Sequence, residues 1–353
     1  MPTPNNLQES PIFLYASAVN VLSPLGASAE FLAAAVKAGV SSYGTCPLPN
    51  DAETIVTFSS IPKAALTAKI PAVLPGFSAP QVRLLTIAAS CLQNLRLPCD
   101  APLPFLLAGP EIYYPEARLH APFFNNLMAA VGGNIHPQYS RYFPYGRAGL
   151  LYAIDAAFDY FALNPNDAVL IGAVDSFYDA KTLGNLVDEL RLLGENSMDG
   201  FVPAEGAAFM LLTTQKADDP IIQHTQLKLA RPSLAYEPGN ILSPKPHPTQ
   251  ALASVVKNTL AGQTQKINKL YSCENGEAYF GRELAVARLR QGHKMHEDLV
   301  ICRPAEFCGD TGAASVGIAL ALAQVDLAKS THHALICASS DAGARGAMCV
   351  SVV

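Results

Sequence analysis

Charged residues are scarce in this sequence: Asp, Glu, Lys and Arg make up 15% of the 353 residues, whereas half of the residues are hydrophobic. Such a composition requires elements that are buried on both faces, or large surfaces that a partner covers. The net charge is only -5 and no basic run occurs. These features argue against nucleic acid as a main partner.

Long apolar runs are missing as well. No stretch of about eighteen uninterrupted apolar residues occurs, so no membrane span is predicted. The first residues, 1–11, have neither a basic start nor an apolar core and do not resemble a signal peptide. We therefore expect a cytoplasmic protein.

Cysteine pairs of the metal-binding type are also absent, because the eight cysteines form no Cys-x-x-Cys motif. In a reducing compartment they are expected to be buried thiols that behave as small hydrophobes. The pairs His293/His296 and His332/His333 lie in polar, loop-like stretches and are interpreted as solvated side chains. We therefore expect no metal and no cofactor.

The most informative stretch runs from 144 to 176. Gly146 and Gly149 form a turn, and the apolar residues that follow recur at steps of three and four, which predicts a buried helix. Residues 164–167 end this helix, and the apolar run 168–174 predicts a strand buried on both faces. Turn, helix, loop and strand in this order are typical of an α/β layer.

The same order returns near the C-terminus. Gly309 and Gly312 form a second turn, residues 313–323 predict an apolar helix, and residues 334–338 predict another buried strand. From the first glycine to the end of the strand, both copies span about thirty residues, which predicts an internal duplication with close helix packing.

The charged, proline-bounded segment 215–220 is the predicted boundary of this duplication. It joins the halves 11–215 and 220–353 into one unit, because each half needs the apolar face of the other. Within the halves we also predict a strand over 12–21 and a proline-rich loop that extends to residue 248.

Four parts of the chain resemble the β-ketoacyl synthases, the condensing enzymes of the thiolase-like fold. These parts are residues 23–26, residues 168–176 together with 199–208, residues 309–314 and the terminus 339–353. The segment DGFVPAEGAA, which begins at Asp199, is the most specific. The resemblance implies an α/β protein with a duplicated five-layer α/β/α/β/α fold, and a dimer.

The resemblance also implies where the family's catalytic residues fall, and the residue types differ there. The nucleophilic cysteine of the family falls on Gly146, and its two histidines fall on Asn275 and Asp310. The lysine that precedes the second histidine is replaced by Ala305, and the loop 340–344 has no phenylalanine. Decarboxylative condensation needs a thiolate and neutral donors that stabilise an enolate, so no catalytic residue and no ordinary ketosynthase activity is expected.

Five residues beside these positions are candidates for a pocket: Tyr145, Arg147, Glu274, Glu277 and Cys308. Arg147 is expected either to draw a carboxylate or phosphate or to pair with Asp310. Glu274, Glu277 and Asp310 are expected to converge there. Cys308 is interpreted as a buried structural thiol, because carboxylate neighbours raise the pKa of a thiol, and Asp310 as a helix N-cap.

Aromatic residues are frequent before and after residue 120. Two alternatives stay open for them: the rings pack under a loop, or they fill the volume that an acyl chain occupies in an active relative. The residues are Tyr113, Tyr114, Tyr139, Tyr142, Phe143 and Tyr145.

The leading prediction is a catalytically degenerate β-ketoacyl synthase homologue that acts through its surfaces. One form is a partner that resembles the chain-length factors, although Gly146 departs from the glutamine these often carry; another is an accessory adaptor of the kind associated with type VI secretion. Both imply a homodimer or a heterodimer with a ketosynthase-like protein, with an acyl carrier protein as a further partner. The alternative is an acyl-thioester-dependent acyltransferase or hydrolase with a repurposed site.

Overall fold

The architecture was analysed in a computed structural model. It describes residues 12–49, 51–71, 74–97, 102–112, 119, 121–194, 197–216, 225–328, 330 and 332–353. None of the helices in these ranges is long and apolar enough to cross a bilayer.

The first half alternates strands and helices up to residue 213. Its elements are β1 (Phe13–Ala16), β2 (Asn20–Leu22), α1 (Ala29–Lys37), β3 (Gly44–Leu48), β4 (Asp51–Phe58), α2 (Ala79–Leu92), β5 (Phe105–Ala108), α3 (Ala121–Val131), β6 (Arg141–Phe143), α4 (Gly149–Phe161), β7 (Val169–Ser176), α5 (Ala180–Asp188) and β8 (Glu205–Thr213). Strands β3 and β4 form a separate antiparallel hairpin.

The second half repeats much of this order. Its elements are β9 (Leu227–Ala230), β10 (Ser233–Tyr236), α6 (Ala251–Ala261), β11 (Ile267–Ser272), α7 (Ala278–Arg290), β12 (Met295–Cys302), α8 (Ala305–Cys308), α9 (Ser315–Leu327), β13 (Ala334–Ser339) and β14 (Ala344–Val352).

The main sheet has the same topology on both sides of its centre. Its strand order is β12-β11-β13-β14-β9-β1-β8-β7-β5-β6. On one side β1 and β8 pair antiparallel, as do β8 and β7, whereas β7, β5 and β6 run parallel. On the other side β9, β14, β13, β11 and β12 repeat this sequence of antiparallel and parallel pairs. The repeated order is what an internal duplication predicts.

Three layers of apolar side chains separate the helices from the sheet. The central one joins α4 and α9 to inward-facing residues of both sides of the sheet, such as Ile171 and Ile336. The second packs α2 and α3 on the outer face around Phe105. The third packs α6 and α7 on the opposite outer face around Leu335. The result is the predicted α/β/α/β/α arrangement of five layers.

Helices α4 and α9 lie in the middle of the molecule because their buried faces are apolar and carry many small side chains. The side chains of α9 are buried on nearly every side, as a helix between two sheets must be. A Cβ on Gly317 of α9 would lie 2.2 Å from the Cβ of Ala208, so only glycine permits this helix to approach β8.

Some boundaries differ from the sequence-based predictions. The strand predicted over 12–21 is two strands, β1 and β2, which pair with different parts of β8. The proline-rich loop contains a strand that was not predicted, β10, which pairs with β14. Ser28 caps α1, since its side chain accepts a hydrogen bond from Phe31 N.

Candidate functional site: a buried ion-pair network

The turn that leads into α4 places Gly146 at the centre of the molecule. Residues Gly146–Ala148 form a short 3-10 turn between β6 and α4. Gly146 has a φ of +49°, and a Cβ there would lie 2.4 Å from Oε1 of Glu111. The carboxylate of Glu111 therefore occupies the space into which any side chain at position 146 would extend.

Glu111 is held by the loop that follows β13. Its Oε1 accepts a hydrogen bond from Asp341 N at 2.9 Å, and its Oε2 accepts one from Ala342 N at 2.7 Å. Burial, together with the negative charge of Asp341, raises the pKa of Glu111 above its ordinary value. The backbone N–H groups of Asp341 and Ala342 are therefore already bound to a carboxyl group of the protein itself.

Arg147 lies next to this carboxyl group and is itself buried. Its Nε donates to Ser339 O at 2.8 Å, its Nη1 to Asp310 Oδ2 at 2.5 Å, and its Nη2 to Asp341 Oδ1. The guanidinium also lies over the ring of Phe280, with Cζ 4.5 Å from the ring centroid. Burial alone would lower the pKa of Arg147, but Asp310 and Asp341 outweigh burial and raise it.

A second arginine extends the network toward α7. Arg191 binds Glu277 with two hydrogen bonds, of 2.8 and 2.6 Å, and donates to Asp341 Oδ2 at 2.7 Å. Asn275 supports the same carboxylate, since its Nδ2 lies 2.8 Å from Glu277 Oε2. Burial would raise the pKa of Asp341, but Arg147 and Arg191 hold it well below its ordinary value.

The turn before α9 repeats the arrangement at Gly146. Gly312 has a φ of +54°, and a Cβ there would lie 2.1 Å from Oδ2 of Asp175. The same carboxylate accepts a hydrogen bond from Ala313 N at 2.8 Å. Burial raises the pKa of Asp175 to about 7. The turn before each central helix therefore begins at a glycine with positive φ that faces a buried carboxyl group.

These contacts bring three positions of the family resemblance into one network. Gly146 adjoins Arg147, Asp310 binds Arg147, and Asn275 reaches the network through Glu277. Of the two alternatives predicted for Arg147, the pairing with Asp310 is present. The assignment of Arg147 and its neighbours to a pocket without catalytic residues stays a prediction.

The contacts of Glu274 and Asp310 differ from the predicted ones. Glu274 does not join Glu277 and Asp310, because its carboxylate binds Arg303. Asp310 is not the N-cap of α9, since the N-cap position is Ala314; its Oδ1 instead accepts a hydrogen bond from Gly312 N at 2.9 Å, at the start of the preceding turn.

Cys308 ends the short helix α8 and is buried. Its thiol donates to Pro304 O at 3.1 Å. Burial, with Asp310 as a smaller cause, raises the pKa of Cys308 to about 12. A thiol with such a pKa holds its proton at neutral pH and is a poor nucleophile.

Tyr145 lines a surface cavity. This cavity of about 380 Å³ lies beside Glu111, between Tyr145, Tyr152 and Tyr236. The two alternatives for the aromatic rings, packing under a loop or filling an acyl-chain volume, stay predictions. Tyr139 packs elsewhere, against His136 and Tyr160.

The remaining aromatic residues of that prediction have other roles or other places. Tyr142 donates from its hydroxyl to Pro110 O at 3.1 Å, and Phe143 packs against the central apolar layer. Tyr113 and Tyr114 lie outside the described residues.

Four residues of the network escaped the sequence analysis: Glu111, Asp175, Arg191 and Asp341. Each lies at or just beyond the end of a strand or helix, without a local motif. The one signal in the sequence is context, because a charge beside a buried apolar strand is unusual in a chain with so few charged residues. Asp175 and Asp341 both meet this criterion.

Comparison with known proteins relates this geometry to solved structures, since no family model and no curated protein matches the sequence. A chain of the AntDE:AntF complex, a type II polyketide synthase acyl-carrier protein with its ketosynthase bound to the hexaketide, superposes with a TM-score of 0.69 at 13% identity. The match covers 97% of this chain and 100% of that one. The chain has the ketosynthase fold.

Two further structures support this assignment of the ketosynthase fold. The ishigamide ketosynthase/chain length factor matches with a TM-score of 0.66 at 17% identity, over 97% of this chain and 99% of that one. An oxazolomycin ketosynthase domain from Streptomyces albus matches with a TM-score of 0.72 at 13% identity, over 97% and 75%. The predicted thiolase-like, five-layer architecture is thereby confirmed.

Proposed function

We propose that this ketosynthase-fold protein is catalytically degenerate and acts as a non-catalytic partner or accessory protein. One observation carries the proposal: the carboxylate of Glu111 fills the space above Gly146, the position on which the family resemblance places the nucleophile. Gly146 has no side chain that could attack a thioester, and Glu111 leaves no room for one.

The charges around Gly146 also oppose the chemistry of condensation. Acyl transfer by this fold requires a nucleophile and donors for an oxyanion or enolate. Here the amides of Asp341 and Ala342 already bind Glu111, and Arg147 is already paired with Asp310 and Asp341. A further negative charge would meet these carboxylates in a buried site, where repulsion is strong.

The alternative of a repurposed enzyme finds no support at Cys308. Its pKa of about 12 keeps the thiol protonated, and the side chain lies inside the fold. An acyltransferase or hydrolase that used Cys308 would need both deprotonation and access for a thioester.

The form of partnership that we favour resembles that of a chain-length factor. Two of the similar structures are described as a ketosynthase/chain length factor and as a ketosynthase with its acyl-carrier protein. The analogy rests on the fold. The hydrophobic composition of the chain agrees with surfaces that a partner covers. A secretion-associated adaptor is the second form, in which a homodimer or another protein covers the same surfaces.

Co-purification with an active type II ketosynthase and its acyl carrier protein tests the proposal. We expect a stable heterodimer in size-exclusion chromatography with light scattering, and a changed product length in mass spectrometry. The ketosynthase and carrier protein without this chain are the control. Recovery of separate proteins with unchanged products would eliminate the chain-length form, and condensation by this chain alone would eliminate catalytic degeneracy.

A further inference from the structure

A second polar cluster lies in the C-terminal half, away from Gly146. Glu237 follows β10, His247 lies in the proline-rich loop that leads to α6, and Glu283 lies on the buried face of α7. One ligand atom of each of these three residues lies within 4.8 Å of the other two. Three elements far apart in sequence therefore present one nitrogen and two carboxylates to a common point.

The cluster contains polar atoms without partners. Glu283 is completely buried, yet its Oε2 has no hydrogen-bond partner among the described residues, and neither does Nδ1 of His247. Buried carboxylate oxygens are nearly always paired in folded proteins, because an unpaired one carries the full cost of desolvation. The Oε2 of Glu283 is therefore available to a ligand that completes the cluster.

The three side chains are held in place by their neighbours. The imidazole of His247 stacks on Tyr279, with ring centroids 3.9 Å apart and planes 13° apart. Oε2 of Glu237 accepts hydrogen bonds from Gln250 N and Ala251 N, both at 3.1 Å. Supporting contacts of this kind orient the first ligands of protein metal sites.

The separation of the ligand atoms fits a metal ion. Nε2 of His247 lies 3.2 Å from Oε1 of Glu283. Two ligands bound tetrahedrally to zinc at its usual bond lengths lie about 3.3 Å apart. The widest separation in the cluster, up to 4.8 Å, requires an inward movement of one side chain.

The charge of the cluster also favours a cation. The cluster holds two carboxylates, Glu237 and Glu283, and Nε of Arg345 donates to Glu283 Oε1 at 2.8 Å. With a neutral His247, these groups carry a net negative charge in a buried place, and this is costly unless it is paired. A divalent cation would compensate this charge and give the unpaired Oε2 of Glu283 a partner.

We propose that Glu237, His247 and Glu283 bind a divalent transition-metal ion of the zinc class. One imidazole and two carboxylates are ligands that such ions accept, with water at a fourth position. The ion would fasten the proline-rich loop onto α7. Sequence analysis predicted no metal because the histidine pairs and the cysteine spacing gave no motif, and His247 stands alone among prolines.

Calorimetric titration of the dialysed full chain with Zn²⁺ tests this site. We expect one equivalent to bind and the unfolding temperature to rise in its presence. His247→Gln should weaken binding by more than about 100-fold, since loss of an outer partner alone already costs ten- to a hundred-fold. His296→Gln, at an exposed histidine of β12, is the matched control and should bind as the original chain does.

Equal Zn²⁺ affinity in the original chain and in His247→Gln would overturn the proposal, as would the absence of binding. Circular dichroism without metal verifies that the variant folds. If it does not fold, the visible spectrum of Co²⁺ added to the original chain decides, because intense tetrahedral bands support the site and an octahedral aqueous spectrum refutes it.

Discussion

One missing methyl group at Gly146 decides what fits above the turn into α4. The backbone there has a φ of +49°, which side chains rarely tolerate, and the first atom of any side chain would collide with Glu111. Two independent constraints therefore fix glycine at this position. This is the residue-scale basis of the proposed loss of chemistry.

Gly146→Ala should lower the free energy of unfolding by at least about 1–3 kcal/mol, the cost of left-handed backbone for an ordinary residue. The overlap with Glu111 adds to this value. Urea unfolding measures it. Gly184→Ala is the control, because a Cβ at this position in α5 has nothing within 4 Å; it should be neutral or stabilise by up to about 1 kcal/mol.

A double substitution separates the two causes. When Glu111→Ala accompanies Gly146→Ala, the collision disappears while the backbone strain stays. We expect a coupling of about 0.5–3 kcal/mol between the two substitutions. Strict additivity would mean that Glu111 does not occupy the space above Gly146.

Part of the network was visible from the sequence at this scale. Arg147 and Asp310 lie in recognisable turns, so their neighbourhood was predictable. Glu111, Arg191 and Asp341 were not, because each comes from a different connection and meets the others only through tertiary packing. The spacing of residues along the chain therefore does not indicate that these side chains are in contact.

At the scale of elements, apolar periodicity carried most of the information. Helices α4 and α9 and strands β7 and β13 lie within a few residues of their predicted positions, since all four are strongly apolar segments that follow clear turns or loops. Strand β10 was missed because it is short and bounded by prolines. The division of one predicted strand into β1 and β2 was missed because both parts pair with β8 and only three residues, 17–19, separate them.

Gly317→Ala tests the close packing of the central helix α9. Its Cβ would lie 2.2 Å from that of Ala208, so α9 must move away from β8. Overpacking of this kind costs about 1–3 kcal/mol, whereas the same exchange in an open helix stabilises. Unfolding midpoints should therefore fall for Gly317→Ala, and an unchanged or higher midpoint would contradict the tight contact between layers.

At the scale of the whole molecule, many of the few charged residues are buried. Arg147, Arg191 and Asp341 are buried together, and replacing one member would leave the others uncompensated. Stability therefore depends on the protonation of buried acids.

We expect the protein to be more stable at about pH 5 than at about pH 8. The pKa of Asp175 is about 7 in the folded state, above its ordinary value of 3.8, so between these values the folded state holds a proton that the unfolded state has released. Stability then falls as pH rises through this window, by at most about 1.4 kcal/mol per pH unit for one group. The raised pKa of Glu111 acts in the same direction.

Asp341 acts in the opposite sense and in another window. Its pKa is lowered, so its contribution is present above about pH 4 and is lost only as pH falls further. Urea midpoints across this range measure both effects. Asp175→Asn should flatten the slope between about pH 5 and pH 7, whereas Asp188→Asn, at an exposed position, should leave it unchanged. An equal slope in Asp175→Asn and the original chain would refute the assignment.

The contact between Glu111 and position 146 also limits which substitutions this turn accepts. A cysteine introduced there would collide with the carboxylate, and a shorter residue at position 111 would leave two amides of the neighbouring loop without their acceptor. A nucleophilic side chain at position 146 would therefore require coordinated changes at both positions.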